Sequence, residues 1–198
     1  MSDVWRTALV EAIAFMKAAE RPDEAWLRRI EVGDGAGWLL PVCRLHRRDD
    51  ALIARLSRWR DASQFAFPTR FPVTEDGTRR WLDVALLERA DRMLFLVTDA
   101  VGAPIGHVGL VVHADAIEAD NIVRGEDGAP GLMGPALLAL LAWAEQEAAP
   151  PEVFLRVLDE NAHAIGFYHR LGFVDGSRED LVERRDGERV TLMPAGPG

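Results

Sequence analysis

At the start of the chain the apolar positions Trp5, Leu9, Ala12, Ile13 and Met16 recur every three or four residues, the spacing of an amphipathic helix, and "DEAWLRRIE" predicts a second, shorter one. "VGDGAG", residues 32–37, reads as a linker, since its glycines and Asp34 favour irregular backbone. "WLLPVCRLH" predicts a strand in which Pro41, lacking an amide donor, favours an edge or a bulge. Helical spacing returns in "RDDALIARLSRWRD", is lost in "ASQFAFPTRFPV", and resumes after Thr74, which caps a helix over "EDGTRRWLDVALLERAD" despite Gly77. Two strand-like runs follow, "MLFLVT" and "IGHVGLVV", separated by the turn residues "DAVGAP", and "DAIEADNIV" reads as a third. "PALLALLAWAEQE" is apolar on nearly every side in its first half, which predicts a buried helix. The chain then offers "EVFLRVLD" as strand, a helix within "ENAHAIGFYHRLGF", and two last strands, "FVDGSREDLVE" and "RVTLMP", joined by a tight "RRDG" turn.

Strand alternating with helix in the second half implies parallel pairing through helical crossovers. The expected class is mixed α/β: one central mixed sheet flanked by helices, residues 37–198, preceded by a helical extension and linker, residues 1–36. The helical segment before residue 32 has two readings, a cover for the sheet or a surface for homodimerisation.

Composition removes several partners. The formal charge of −9 argues against sequence-independent nucleic-acid binding, which needs a concentrated basic surface. No run approaches the ~20 apolar residues of a membrane span, and the early acid in "MSDVWRTALVEAIAF" is unlike a targeting segment, so the expectation is a soluble, cytoplasmic protein with no membrane partner. The one cysteine, Cys43, has no disulfide or thiolate partner and reads as a buried apolar thiol; no His/Cys/carboxylate spacing points to a metal. His46, His113, His163 and His169 read as surface residues. Lys17 is the only lysine, a habit of composition rather than a recognition device.

The stretch at residues 160–173 holds the only tyrosine, Tyr168. At about 100° per residue, Asn161, Ile165 and Tyr168 share one helix face, while Ala164, Phe167 and Leu171 form a neighbouring apolar stripe. Asp159 or Asn161 can cap the first turn, and Gly172 stands where a left-handed C-cap is wanted.

These same residues carry a resemblance. "ENAHAIGFYHRLGF" resembles the C-terminal motif of the GCN5-related N-acetyltransferases (GNAT), Asn, two residues, Ala, two residues, Phe-Tyr, three residues, Gly-Phe, and every one of those positions matches. From residue 38 onward the order of elements is similar to that family's fold. The resemblance implies an acetyl-CoA-dependent N-acetyltransferase with acetyl-CoA as co-substrate, in which Tyr168 lies beside the leaving sulfur as general acid and Asn161 hydrogen-bonds the CoA arm. The plainer readings, a helix aromatic with a satisfied hydroxyl and an N-cap, stand beside these, and for Asn161 both can hold. The family seats its pyrophosphate on the N-terminus of the buried helix. The matching stretch, "RGEDGAPGLMGPALLALLAWAEQE", keeps Gly131 but has Gly128 where Gln or Arg is usual and Met133 where a small residue is usual. Pro130 and Pro135 each remove an amide, which leaves Gly131, Leu132, Met133 and Gly134 as the backbone cradle, with Arg124 adding charge. An ordinary Gly/Pro-rich helix start is the alternative.

For the general base the candidates are His107, Glu118 and Asp120, on strands that face the acetyl group in the resembling proteins; strand parity puts Glu118 and Asp120 on one face. Asn121 would help shape the acceptor site, and Trp59, Phe65, Phe67 and Trp81 would line it, or else pack the core. No serine or cysteine nucleophile motif is present. The leading expectation is transfer by direct attack to a primary amine of a small molecule, an amino sugar or antibiotic-like amine. A protein N-terminus as acceptor, a larger acyl group, and a non-catalytic acyl-CoA-binding sensor or interaction module are the alternatives.

Overall fold

The computed structural model describes residues 3–195. A six-stranded sheet runs in the order β1-β2-β4-β5-β6-β7 (Ile30–Val32, Gly37–Pro41, Arg92–Asp99, Pro104–Val112, Ile117–Arg124, Val153–Phe154). All its pairings are antiparallel except β6 with β7, which are parallel and joined through the helical crossover α5 (Met133–Ala148). α1 (Asp3–Lys17) and α5 cover one face, where Leu9, Ile13, Leu39, Phe95, Val108, Leu110 and Leu140 form the larger core. α3 (Asp50–Ala62) and α4 (Glu75–Arg80) cover the other, with Ile53, Leu56, Trp59, Leu82, Leu94 and Leu96. Burying side chains of this size stabilises by about 1.5–3 kcal/mol each, so the two apolar faces of β4 and β5 fix the sandwich. A short helix, α2 (Pro22–Leu27), leads from α1 to β1. α1 lies on α5 and the central strands and so covers the sheet.

Sequence and structure part in several places. "VGDGAG" is the turn of the β1–β2 hairpin, not a linker, because Ile30 and Val32 pair with Leu39 and Gly37. The strand expected through His46 ends at Pro41, opposite Phe95 and beyond the reach of β1, and residues Arg44–Arg48 form a 3₁₀ turn. His46 is not a surface residue: its Nδ1 accepts from the Cys43 amide at 3.1 Å. Burial lowers its pKa. Within the irregular "ASQFAFPTRFPV" a two-residue strand, β3 (Thr69–Arg70), pairs with β9 (Arg189–Pro194), which also pairs with β8 (Leu181–Asp186). The last two strands therefore form a separate three-stranded sheet, and "FVDGSRED" is irregular rather than strand.

The helix capped by Thr74, whose Oγ1 accepts from the Gly77 amide at 3.1 Å, widens to π-helical geometry over Trp81–Leu87. Lys17 ends it: the ammonium, buried at the close of α1, donates to the Leu86 and Arg89 carbonyls at 2.6 Å each. Carbonyls left open at a helix C-terminus attract a cation. The only lysine is thus a clamp between two layers, with desolvation pushing its pKa down to about 8.

Candidate functional site

The sheet opens along β6. Its register with β5 slips: His107 faces Val123 and Gly109 faces Asp120, so Asn121 and Ile122 together oppose Val108. Such a bulge leaves residues outside the ladder and re-aims their neighbours. Asn121 adopts φ +50°, a left-handed conformation that asparagine tolerates better than most residues. On its other side β6 meets β7 only at Ile117↔Val153 and Glu118↔Phe154, so from Ala119 onward no strand among the described residues pairs with that edge.

Three of the candidate residues converge on this opening. The Asn121 side-chain amide donates to Asp120 Oδ2 at 2.6 Å, and Arg92 approaches the same oxygen at 3.8 Å. Tyr168, on α6 (Ala162–Arg170), is half-buried with its ring edge-on to Phe167 and Phe173 at centroid distances of 5.3 and 6.1 Å. Burial, and secondly the Asp120 charge, push its phenol up to about 12. Tyr168 is therefore a neutral phenol at physiological pH, and among the described residues its hydroxyl has no hydrogen-bond partner.

Glu118 shares the face but is committed elsewhere: its Oε2 takes a bond from His113 at 2.9 Å and an ion pair from Arg156 at 3.6 Å. His113 is accordingly half-buried rather than a surface residue. His107 is buried on β5, and desolvation pushes its pKa down to about 4. Its Nδ1 bonds the Asn121 carbonyl oxygen at 2.6 Å.

α6 starts as its residues require. Asn161 Oδ1 accepts from the Ala164 amide at 3.2 Å, and Gly172 leaves the helix at φ +93°. Asn161 is half-buried, and its side-chain nitrogen bonds no group among the described residues. Phe167 and Leu171 close on Gly134 at the head of α5, where a side chain would crowd Leu171. That packing sets the tyrosine helix beside the helix start on which a pyrophosphate would rest.

The α5 start fits an anion through its backbone. Leu132 makes no side-chain cap, Pro135 has no amide, and the Met133 and Gly134 amides lie in the first turn without an intrahelical acceptor. Gly131 has φ +83° and Ala129 +46°, which folds the loop back on itself; the Leu132 amide is spent in that turn, on the Ala129 carbonyl at 3.2 Å. Arg124 wraps the same loop, donating to the Glu126, Asp127 and Gly128 carbonyls at 2.9 to 3.2 Å. The cradle of Gly131, Met133 and Gly134 is thus shaped by Arg124 and is suited to the phosphates of CoA.

The aromatic candidates divide. Trp59 is buried in the second core, Phe67 and Trp81 pack half-buried against it, and Phe65 is exposed. Phe67 carries the Arg60 guanidinium 3.8 Å above its ring. Sequence reasoning missed Arg92, Arg156, Phe173 and Glu126, whose roles come from neighbours distant in the chain and leave no local signal. A groove of about 440 Å³ between α1 and α5, lined by Glu11, Phe15, Trp143 and Glu147 among others, holds none of the site residues. Among the described residues no helix is long and apolar enough to cross a membrane, and no cluster of three metal-ligating side chains occurs.

The model of the acetyltransferase (GNAT) domain family matches residues 41–174, which include the bulge, the α5 start and Tyr168. Among solved structures, a probable GNAT-family acetyltransferase from Chromobacterium violaceum is similar at 25% identity and TM-score 0.62, over 90% of this chain and 89% of that one. The ribosomal L7/L12 α-N-protein acetyltransferase RimL, in complex with coenzyme A, shares the fold at 14% identity and TM-score 0.65, over 84% and 97% of the two chains. Spermidine N-acetyltransferase from Vibrio cholerae, in complex with CoA and spermine, does so at 19% identity and TM-score 0.56, over 73% and 88%. No curated protein matches the sequence. The family model spans more than half of the chain, from β2 through Tyr168, and this chain is a member of that family: a GNAT acetyltransferase, an acyltransferase enzyme that uses acetyl-CoA and acts on an amine acceptor.

Proposed function

We propose that the enzyme transfers acetyl directly to a primary amine of a small cationic molecule, of the amino-sugar or antibiotic-amine kind, without an acyl-enzyme intermediate. The observation that carries this reading is the placement of Tyr168, a half-buried phenol whose hydroxyl bonds nothing among the described residues, within the field of the Asp120 carboxylate held at the bulge. Acetyl-CoA supplies the acetyl group as an activated thioester. Asp120, directly or through water, draws in the acceptor ammonium and takes its proton, so that a neutral amine attacks. Tyr168 points a neutral O–H at the leaving sulfur. A phenol near 12 is about three units weaker as an acid than an ordinary thiol, so Tyr168 first donates a hydrogen bond and releases its proton only as charge builds on a desolvated sulfur.

Direct attack is supported by the state of the one thiol. Cys43 is fully buried in a small cluster with Ala19 and Ala25, and burial pushes it up to about 11. Although His46 Nδ1 lies 3.4 Å from the sulfur, that nitrogen already accepts from the Cys43 amide. Only about one thiol in ten thousand would be ionised at neutral pH. Thiol release from acetyl-CoA, measured with amino sugars, polyamines and peptides with free N-termini, tests the acceptor class. Turnover with small cationic amines and none with peptides is expected; turnover confined to peptides would replace the small-molecule reading by protein N-terminal acetylation. Tyr168→Phe should lower kcat by about a hundredfold with CoA affinity unchanged. An unaltered rate with chemistry limiting would remove Tyr168 from the reaction.

A further inference from the structure

We infer that His107 is a positioning residue rather than the proton acceptor: together with Trp59 it holds the β6 bulge in the shape the reaction needs. The inference rests on the site proposed above and deepens it. A carbonyl oxygen only accepts, so the 2.6 Å contact with Asn121 O requires the proton on His107 Nδ1. That bond fixes the peptide between Asn121 and Ile122. In a trans peptide the carbonyl and the following N–H point in opposite directions, so a carbonyl held by His107 aims the Ile122 amide away from the ring. Neither Asn121 nor Ile122 has a register partner in a neighbouring strand, so this peptide sits where the ladder is interrupted. The neighbouring Asp120 carboxylate is tied to the same bulge by the Asn121 side chain.

His107 is held in turn from behind. The Trp59 indole lies against its ring, with centroids 6.0 Å apart. Trp59 Nε1 donates to Glu126 Oε1 at 3.0 Å, and the indole occupies the space where Gly125 would carry a side chain. Gly125 and Glu126 open the loop that leads to the α5 cradle, and both their amides bond the Ile105 carbonyl at 2.9 Å. The row Glu126, Trp59, His107, Asn121 therefore connects the loop that shapes the phosphate site to the bulge beside Asp120. The charges acting on the imidazole are Asp120 and Arg60, of opposite sign, and both are outweighed by burial.

The test replaces the ring by amides. Asparagine places its N–H₂ near Nδ1, and glutamine near Nε2. His107→Asn should keep kcat within about threefold and retain the acid limb of the kcat/KM profile, whereas His107→Gln and His107→Leu should lose about a hundredfold in kcat. Two readouts stand apart from turnover. Imidazole ¹⁵N shifts should report a neutral Nδ1–H tautomer between pH 5 and pH 8. Hydrogen exchange at residues 119–123 should accelerate in His107→Gln and not in His107→Asn, with β4 unchanged in both. If folded His107→Asn is as slow as His107→Gln, or has no acid limb, His107 is the base and the inference fails. A folded His107→Leu at full rate, or an Nε2–H tautomer, overturns it as well. Loss of turnover in every protein including the unsubstituted one, with the tautomer and exchange pattern as expected, would instead count against the proposed reaction.

Discussion

His107 also carries a consequence for stability. Its folded pKa, about 4, is below the ordinary 6.5, so between those values the unfolded chain binds more protons than the folded one. The contribution is fully present above pH 6.5 and is lost as pH falls toward 4. A shift of this size corresponds to about 3 kcal/mol at the acid end, and His46, lowered by burial as well, acts in the same direction. Urea midpoints measured from pH 7.5 to pH 4.5 should fall below about pH 6.5, and the fall should be shallower in His107→Asn; identical slopes in the two proteins would contradict the buried neutral imidazole. Gly125→Ala belongs to the same neighbourhood. Its new methyl would meet the indole, and the expected cost is about 1–3 kcal/mol, read as a drop of several degrees in Tm. At this scale the sequence was informative about Tyr168 and Asn161, because a helix repeats its faces at a known angle. It was silent on how His107, Glu118 and Asp120 are engaged. Glu118 is held by His113 and Arg156, His107 by the Asn121 carbonyl, and Asp120, through one oxygen, by the Asn121 side chain and Arg92, and most of those partners lie on other turns or strands.

Elements with a strong period appear where the sequence predicts them: α1, α3, α5, α6 and the strands β4 to β6. The misplaced ones are short. β7 keeps two residues of the eight in "EVFLRVLD" because its pairing with β6 stops at Glu118↔Phe154, while β6 runs on through the bulge beside β5 alone. β1 was hidden because three residues carry no readable alternation, and pairing with β2 alone makes them strand. The head of α5 illustrates how an element acts as a reagent. With Pro130 and Pro135 lacking donors and the Leu132 amide spent on Ala129, we propose that phosphate is met by the amides of Gly131, Met133 and Gly134 and by the helix dipole. CoA should therefore bind at least about tenfold more tightly than pantetheine, which lacks the pyrophosphate, in calorimetric titration. Equal affinities would place the pyrophosphate elsewhere.

For the molecule as a whole, net charge and layering set the remaining behaviour. A chain of charge −9 attracts a cationic acceptor and repels its anionic co-substrate, so salt should raise the KM of a cationic amine several-fold between about 50 and 500 mM while that of acetyl-CoA does not rise. A salt-independent amine KM would speak for a neutral acceptor or a site shielded from the overall field. The two sheets should also differ in persistence. β4 and β5 are buried between layers, whereas β8 is exposed throughout and β9 is only partly covered, so amides of the hairpin should exchange well before those of the central strands. By itself the sequence determined the class of fold, through periodicity, and carried the stretch with the chain's only tyrosine that resembles the family's motif, since both are local features that survive in one dimension. The tertiary structure alone decided how Glu118 and Asp120 are paired, which histidine bonds the bulge carbonyl and which amide at the α5 head is spent. Each of those depends on desolvation and on contacts between segments far apart along the chain, and neither is encoded in the spacing of any single stretch.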